Sequence, residues 1–391
     1  MIIKPMIRDN IALNSHPKGC EQNILNQLNE IKNKRNINEK PLNVLIIGGS
    51  SGYGLASRLV LTFKGNAFTY NVSYESAPSK RLSGTAGYFN NYYFENLCKK
   101  NNHECFDLNA DCFADKTKEQ VINYFKDNNK KIDLIVYSVA SGVRIDPKTK
   151  EKYTSSLKPI DKKYTGIIVD IMKNTMKEKT LEVATQEEID STIKVMGGED
   201  FLLWIETLDN AKVLNDGVNA VAYTYIGAPC TYPIYKDGTI GQAKRDLERK
   251  NDDINKILNK YQGQSYICSA KSVITKASTY IPTVPLYMSA LFKVMKKHHI
   301  HETLTEHIYR LFNDMIYGDR ILLDENNIIR LDYFEMNDII QKEVNELLEK
   351  TTHDNFVELL EYDEFKNEFL QINGFNFDSI DYEEDIDMSI Y

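Results

Sequence analysis

The sequence is short of most features that mark specialised proteins. Its six cysteines (Cys20, Cys98, Cys105, Cys112, Cys230, Cys268) form no C-x-x-C pair. In a chain of 391 residues they read as reduced thiols, which excludes a disulfide scaffold and suits the cytoplasm. There is no long Lys/Arg block. Net charge is −8, with 56 acidic against 48 basic residues, so a nucleic-acid partner is disfavoured. No apolar run approaches a membrane span, and "MIIKPMIRDN" lacks the apolar core of a signal peptide. Internal repeats and low-complexity linkers are also missing. What remains is a globular balance, 42% hydrophobic and 27% charged. The expectation is a cytoplasmic α/β protein of one large domain with additions. The tail "DSIDYEEDIDMSIY" reads as a solvated acidic end.

Strands and helices alternate over residues 43–142. Val44-Leu45-Ile46-Ile47 is a short apolar run before glycines, the mark of a strand buried on both faces. Helix-spaced Leu55, Leu59 and Phe63 follow, then "NAFTYNVSYE" as a strand, "TAGYFNNYYFENLCKK" as a helix and "HECFDLNAD" as a strand. "TKEQVINYFKD" reads as a helix and "KIDLIVYSVASG" as a fourth strand. This pattern predicts a doubly wound parallel Rossmann-like sheet. Residues 143–217 read as an inserted segment, first polar and Lys-rich, then helical from Thr185 or Gln186 through Ala211. Residues 218–280 return to the sheet, and residues 281–391 read as mostly helical.

"GGSSGYG", Gly48 to Gly54, follows the first buried strand and opens a helix. Glycines there allow a sharp turn and close approach to a pyrophosphate at the helix N-terminus. Glu75 ends the next strand, 21 residues after Gly54, where a carboxylate bonds the adenosine ribose of NAD and repels a 2′-phosphate. Lys80 and Arg81 could instead reach a 2′-phosphate. The strand-end acid favours NADH.

"YTYIGAPCTYPIYKDGTIGQAK" holds Tyr223, Tyr225, Tyr232, Tyr235 and Lys244. On one unbroken helix, Tyr235 and Lys244 would lie about 13.5 Å apart along the axis and point oppositely. Asp237-Gly238 and Gly241 break the helix, so a turn can fold Tyr235 back. A helix is expected to start near Thr239–Gln242, with Lys244 in its first turn. An ammonium near a phenol makes the hydroxyl a better proton donor. An exposed lysine beside a tyrosine buried by chance fits the spacing better.

Several segments, in order, bear on what spacing leaves open. "MIIKP", "HPKGCE", "GGSSGYGLASR", "TYPIYKDGTIGQAK", "IPTVPLYMSALFKVMK", "FLQINGF" and "IDYEEDID" resemble the trans-2-enoyl-CoA reductase / enoyl-acyl-carrier-protein reductase family nearly end to end. That family is an enlarged branch of the short-chain dehydrogenase/reductases. Its distinctive element is Tyr-x8-Lys, here Tyr235 to Lys244. The resemblance implies that Gly48, Gly49, Ser50, Ser51, Gly52 and Tyr53 wrap the pyrophosphate. Tyr74 and Glu75 would meet the adenosine ribose, and Asp111 and Cys112 the adenine. Val139 and Ala140 would offer a backbone contact, and Val273, Ile274 and Thr275 a loop over the nicotinamide. Tyr225 would contact substrate, Tyr235 would be the proton donor, and Lys244 would hold the cofactor. At 112 the family more often has a small alanine-like residue, and "YSVASGVRIDP" departs from its Ala-Pro-Arg wording.

The implied activity is NADH-dependent reduction of trans-2-enoyl-CoA or enoyl-acyl-carrier protein, with no flavin and no metal. The rivals are a ketone or ketoacyl reductase of the same fold and a non-catalytic NAD(H)-sensing module. A monomer without a membrane partner is the working expectation. "KKHHIHETLTEH", with His298, His299, His301 and His307, lacks the paired histidines of a metal helix and reads as a solvated helix end. Cys98, Cys105 and Cys112 read as buried thiols. Trp204 reads as core or as lining of an acyl pocket.

Overall fold

Val44, Leu45, Ile46 and Ile47 are fully buried, and successive residues enter two different cores. A strand apolar on both faces needs cover on both, the condition of a parallel sheet between helix layers. The computed structural model, which describes residues 1–37, 40–80, 82–275 and 278–391, has this arrangement.

A hairpin of β1 (Ile7–Arg8) and β2 (Ile11–Ala12) precedes α1 (Pro17–Ile31). The alternation runs β3 (Asn43–Ile47), α2 (Gly52–Phe63), β4 (Phe68–Ser73), α3 (Ala86–Lys100), β5 (Cys105–Asn109), α4 (Asp115–Asp127) and β6 (Ile132–Tyr137). Two antiparallel hairpins follow, β7 (Val143–Ile145) with β8 (Lys152–Thr154) and β9 (Tyr164–Asp170) with β10 (Thr175–Leu181). After α5 (Gln186–Met196) and α6 (Glu199–Ala211), the chain returns through β11 (Leu214–Thr224), α7 (Thr239–Leu258) and β12 (Gln264–Ser269). The last part holds α8 (Val284–Lys297), α9 (Leu304–Arg310) running into a π-helical turn, β13 (Ile328–Arg330), α10 (Asp338–Glu349), α11 (Phe356–Leu359) and α12 (Tyr362–Gln371).

The seven strands lie in the order β13-β12-β11-β6-β3-β4-β5, and every pairing is parallel. The chain moves outward from β3 to β5, then restarts at β6 on the other side of β3. In such sheets the strand order reverses between the first and fourth strands, and a crevice opens at their carboxyl ends.

Four sequence expectations change. The Lys-rich stretch after Val143 forms two hairpins, one of which, β9–β10, is exposed along most of β10 and so shows no apolar alternation. The helix foreseen from Thr185 to Ala211 is two helices. Thr185 caps the first in a capping box, and Gly197-Gly198 breaks it where Gly198 N–H donates to Asp246 of α7 at 3.0 Å. The seventh strand, β13, was not foreseen; it has three residues. The acidic tail is docked rather than free: Ile386 is buried, Glu384 meets Lys18 at 2.5 Å, and the Tyr391 hydroxyl bonds that of Tyr93 at 2.6 Å. Trp204 is fully buried in core between the sheet and α6. Among the described residues no helix is long and apolar enough to cross a membrane.

Candidate active site

Each strand of the sheet hands a residue of interest to its carboxyl edge. After β3 comes the glycine turn. Gly48 adopts φ +92°, and a Cβ there would lie 2.3 Å from the Ser138 carbonyl, so only glycine fits beside the end of β6. Ser51 is the N-cap of α2 and makes no side-chain cap, which leaves the first-turn N–H groups for an anion. The turn is braced from behind. Gly49 N–H donates to Asn71 Oδ1 at 2.9 Å, and Asn71 Nδ2 donates to Asp107 at 2.8 Å. Asp107 accepts the fully buried Arg58 guanidinium at 2.7 Å, which stacks over Phe94. Sequence reading passed over these three residues. The signal was Asn71 and Asp107, polar residues inside strand patterns.

After β4, Glu75 accepts the Ser50 hydroxyl at 2.6 Å and the Thr85 hydroxyl, so the glycine turn and the acid already touch. Tyr74 beside it is 80% exposed. After β5, the Asp111 carboxylate accepts Phe113 N–H at 3.0 Å. The Cys112 carbonyl accepts Lys118 Nζ at 3.0 Å, and burial, then Asp200, pushes its thiol pKa up. Val139 and Ala140 follow β6, the latter exposed. Lys80 is exposed, and Arg81 lies outside the described residues.

After β11 comes Tyr225. The chain then turns through Pro229–Thr231. Tyr235 N–H donates to Thr231 at 3.0 Å, and Gly241 N–H donates back to the Tyr235 carbonyl at 2.8 Å. A Cβ on Gly241 would sit 1.8 Å from the Lys236 carbonyl, so this fold-back requires glycine. It sets the Tyr235 ring edge-on to Tyr225, with centroids 5.2 Å apart at 76°. Lys244 is the sixth residue of α7, which starts at Thr239, so it lies in the second turn, not the first as expected. Its Nζ donates to the Tyr223 carbonyl at 3.2 Å. Burial pulls its pKa down to about 8, against the pull of Glu248.

Tyr223 has work beyond packing. Its hydroxyl pairs with Ser57 at 2.7 Å and its ring stacks on Tyr53 at 5.1 Å. The Tyr53 hydroxyl donates to the Lys271 carbonyl at 2.6 Å, tying the glycine-turn helix to the loop after β12. In that loop Val273 and Ile274 are buried, and the Thr275 methyl stands 3.9 Å from where a side chain on Gly52 would begin. Tyr232 lies under Lys236 at 4.4 Å.

After β13 comes a residue that sequence reading missed. Glu335 is fully buried. Its Oε1 accepts the hydroxyls of Tyr225 at 3.1 Å and Tyr287 at 2.7 Å, and its Oε2 accepts Ser272 N–H at 2.6 Å. Burial, against those three donors, pushes its pKa up to about 7. No sequence spacing links it to Tyr225, since 110 positions separate them.

The histidine cluster is not wholly a solvated helix end. His307 is fully buried, bonded to Glu302 at 2.9 Å, and accepts Lys271 N–H at 3.1 Å. Burial holds its pKa down to about 4, so the ring is neutral and structural. Among the described residues no group of three His, Cys, Asp or Glu could hold a metal ion. Cys98 is buried, while Cys105 and Cys112 are half-buried.

Three family models match in order along the chain. They are described as NAD(P)H binding domain of trans-2-enoyl-CoA reductase (residues 2–80), trans-2-enoyl-CoA reductase catalytic region (82–317) and enoyl reductase FAD binding domain (323–386). The enoyl-[acyl-carrier-protein] reductase [NADH] of Idiomarina loihiensis is 43% identical over 390 residues, covering 100% of both chains. That of Vibrio vulnificus is 42% identical, covering 100% of this chain and 98% of its own. Among solved structures, the trans-2-enoyl-CoA reductase of Clostridium acetobutylicum in complex with NADH superposes with TM-score 0.97 at 41% identity, over 100% of this chain and 98% of that one. The enzyme of Treponema denticola in complex with NAD gives 0.94 at 40% identity, over 99% and 98%.

The flavin in the third description does not fit the residues here. Segment 323–386 has a single glycine, Gly374, which packs against α1. Its aromatic side chains Phe356, Tyr362, Phe365 and Phe369 are buried in the core that contains α8. The segment has no glycine-rich phosphate turn for a dinucleotide, and its exposed Tyr333 is covered by the Arg310 guanidinium, 4.7 Å from the ring centre.

Proposed function

The chain belongs to the trans-2-enoyl-CoA reductase family, and from that premise we propose that it uses NADH to reduce the carbon–carbon double bond of trans-2-enoyl thioesters. The substrate is carried as enoyl-CoA, such as crotonyl-CoA, or as enoyl-acyl-carrier protein, and the product is the saturated acyl thioester of fatty-acid metabolism. The observation that carries this reading is the contact of Tyr225 with Tyr235 at the carboxyl edge of the sheet, 5.2 Å between rings. Lys244 lies on the same segment, bonded to the Tyr223 carbonyl.

NADH, when bound, supplies the hydride that reaches the β-carbon. On this reading Gly48, Gly49, Ser50, Ser51, Gly52 and Tyr53 hold the pyrophosphate with the first turn of α2. Tyr74 and Glu75 take the adenosine ribose, Asp111 and Cys112 flank the adenine, and Val139 and Ala140 offer backbone. Val273, Ile274 and Thr275 cover the nicotinamide, and Lys244 bonds its ribose. The glycine turn with its uncapped helix end and the acid beside it fit that assignment.

As the β-carbon gains its new bond, negative charge moves to the thioester oxygen. Tyr235 donates a hydrogen bond to that oxygen, and Tyr225 gives a second bond or positions the thioester. A neutral donor gains most where charge develops, so it favours the transition state over the bound substrate. The Lys244 ammonium lowers the cost of negative charge on Tyr235. Tyr235 is the proton donor: its hydroxyl proton passes to the enolate and ends on the α-carbon, and solvent restores the tyrosine. The scheme needs neither flavin nor metal. The cysteines, none of them in a disulfide, accord with a cytoplasmic enzyme.

The test is NADH consumption with matched enoyl-CoA and enoyl-carrier-protein substrates, with acetoacetyl-CoA as the ketone control. Turnover on acetoacetyl-CoA alone would replace this reading with ketone reduction.

A further inference from the structure

Tyr225 has one hydroxyl proton, and the fold has spent it. It is directed at Glu335 Oε1, 3.1 Å away. While Glu335 is a carboxylate, all three of its neighbours donate to it, and Tyr225 can only accept on its substrate side. An enolate oxygen also only accepts. The two would repel.

A protonated Glu335 reverses the bond. The carboxylic acid donates to the Tyr225 oxygen, and the Tyr225 proton turns toward the crevice. Tyr287 cannot take over this task, because Gln341 Nε2 donates to its hydroxyl at 3.0 Å and fixes its own proton on Glu335.

We propose that Glu335 is a positioning residue that sets the direction of the Tyr225 hydroxyl: as a carboxylate it withholds the Tyr225 proton from substrate, and as a carboxylic acid it releases that proton to the thioester oxygen. This rests on the reading that Tyr225 meets the thioester. No proton is transferred between Glu335 and Tyr225; the acid keeps its own, and only the sense of the hydrogen bond changes.

The surroundings suit a group that changes state near neutrality. Burial and the nearby Asp332 disfavour the carboxylate, while Ser272 N–H and the Tyr287 and Tyr225 hydroxyls favour it. The other titratable groups felt across the cluster are Tyr53 of α2, Tyr235 and Cys230 of the loop before α7, and Lys271 after β12. Asp332 is itself held by Arg330 at 2.9 Å and by the Ser269 hydroxyl at 2.8 Å. Together they leave Glu335 at about 7.

The experiment is kcat/KM for crotonyl-CoA at saturating NADH, from about pH 6 to about pH 9, for the wild type, Glu335→Gln and Tyr225→Phe. The wild type should lose activity about tenfold from pH 6 to pH 8 through this limb. In Glu335→Gln the amide permanently donates to Tyr225, so the limb near neutrality should vanish and only the later one from Lys244 remain. A wild type with no limb between pH 6 and 8, or a Glu335→Gln enzyme that keeps the wild-type limb, overturns the proposal. Should Glu335→Gln lose its fold by circular dichroism, Tyr225→Phe decides: without the hydroxyl the limb must disappear, and its persistence overturns the proposal. Tyr225→Phe at wild-type rate removes the Tyr225–thioester reading and the proposal with it. A slow Tyr225→Phe with an unchanged limb in Glu335→Gln removes the proposal alone.

Discussion

Lys244 Nζ donates to the main-chain oxygen of Tyr223 at 3.2 Å, which anchors the lysine to the end of the strand that leads into Tyr225. Burial makes the charged form costly and brings its pKa from 10.5 to about 8. The folded-state value lies below the unfolded one. Between about 8 and 10.5 the unfolded chain keeps a proton that the fold has lost, so stability rises with pH across that window. Below it the full cost of the buried ammonium is present. Lys244→Met should raise the thermal midpoint at pH 7 by about 2–4 °C, a gain that fades toward pH 10, while turnover falls. Scanning calorimetry at the two pH values checks it; an equal midpoint shift at both would mean that no charge penalty exists.

Glu75 touches both Ser50 and Thr85, so the acid is fixed beside the glycine turn. Glu75→Ala removes the carboxylate that would repel a 2′-phosphate. The NADH-to-NADPH ratio of kcat/KM should fall by about tenfold or more, the worth of roughly one charged hydrogen bond. A ratio that does not move takes cofactor selection away from Glu75.

The Arg58–Asp107 pair has its guanidinium fully buried. Asp107→Ala leaves that charge without its carboxylate and loosens Asn71, hence the Gly49 amide. Breaking a buried pair by removing one partner costs about 3–5 kcal/mol. Urea unfolding should report a loss near the low end of that range, since Asp107 is partly exposed and Asn91 still accepts from Arg58 at 3.0 Å. NADH affinity should weaken as well.

Tyr235→Phe deletes the donor and keeps the ring that packs on Tyr225. Loss of one preorganised donor to a developing oxyanion costs about 10²–10³ in kcat. NADH binding by fluorescence should stay within about twofold if the hydroxyl serves the substrate, as proposed, and not the cofactor. A fall in affinity with kcat unchanged would assign Tyr235 to the cofactor instead.

Local order was legible in the sequence. The run Val44–Ile47 before glycines and the acid at position 75 located the switch-point crevice, and the breakers between Asp237 and Gly241 located the fold-back of Tyr235. Spacing could not choose between a catalytic and an incidental Tyr–Lys pair; the resemblance along the whole chain implies the catalytic one, and Tyr235→Phe tests it. Residues that act from afar in sequence escaped. Glu335 reaches Tyr225 only because β13 joins the sheet, and a three-residue strand has no periodicity to read. The hairpin β9–β10 escaped because β10 faces solvent along most of its length. Lys244 was placed one turn too early because the helix begins at Thr239, the first of the positions considered.

Enoyl thioester reduction by NADH at Tyr235 has a direct readout in its product. Product analysis of purified protein incubated with crotonyl-CoA and NADH tests it most directly. One butyryl-CoA should form for each NADH consumed, with no added flavin, and the rate should collapse in Tyr235→Phe. NADH bound without butyryl-CoA formed, or full activity in Tyr235→Phe, would contradict it.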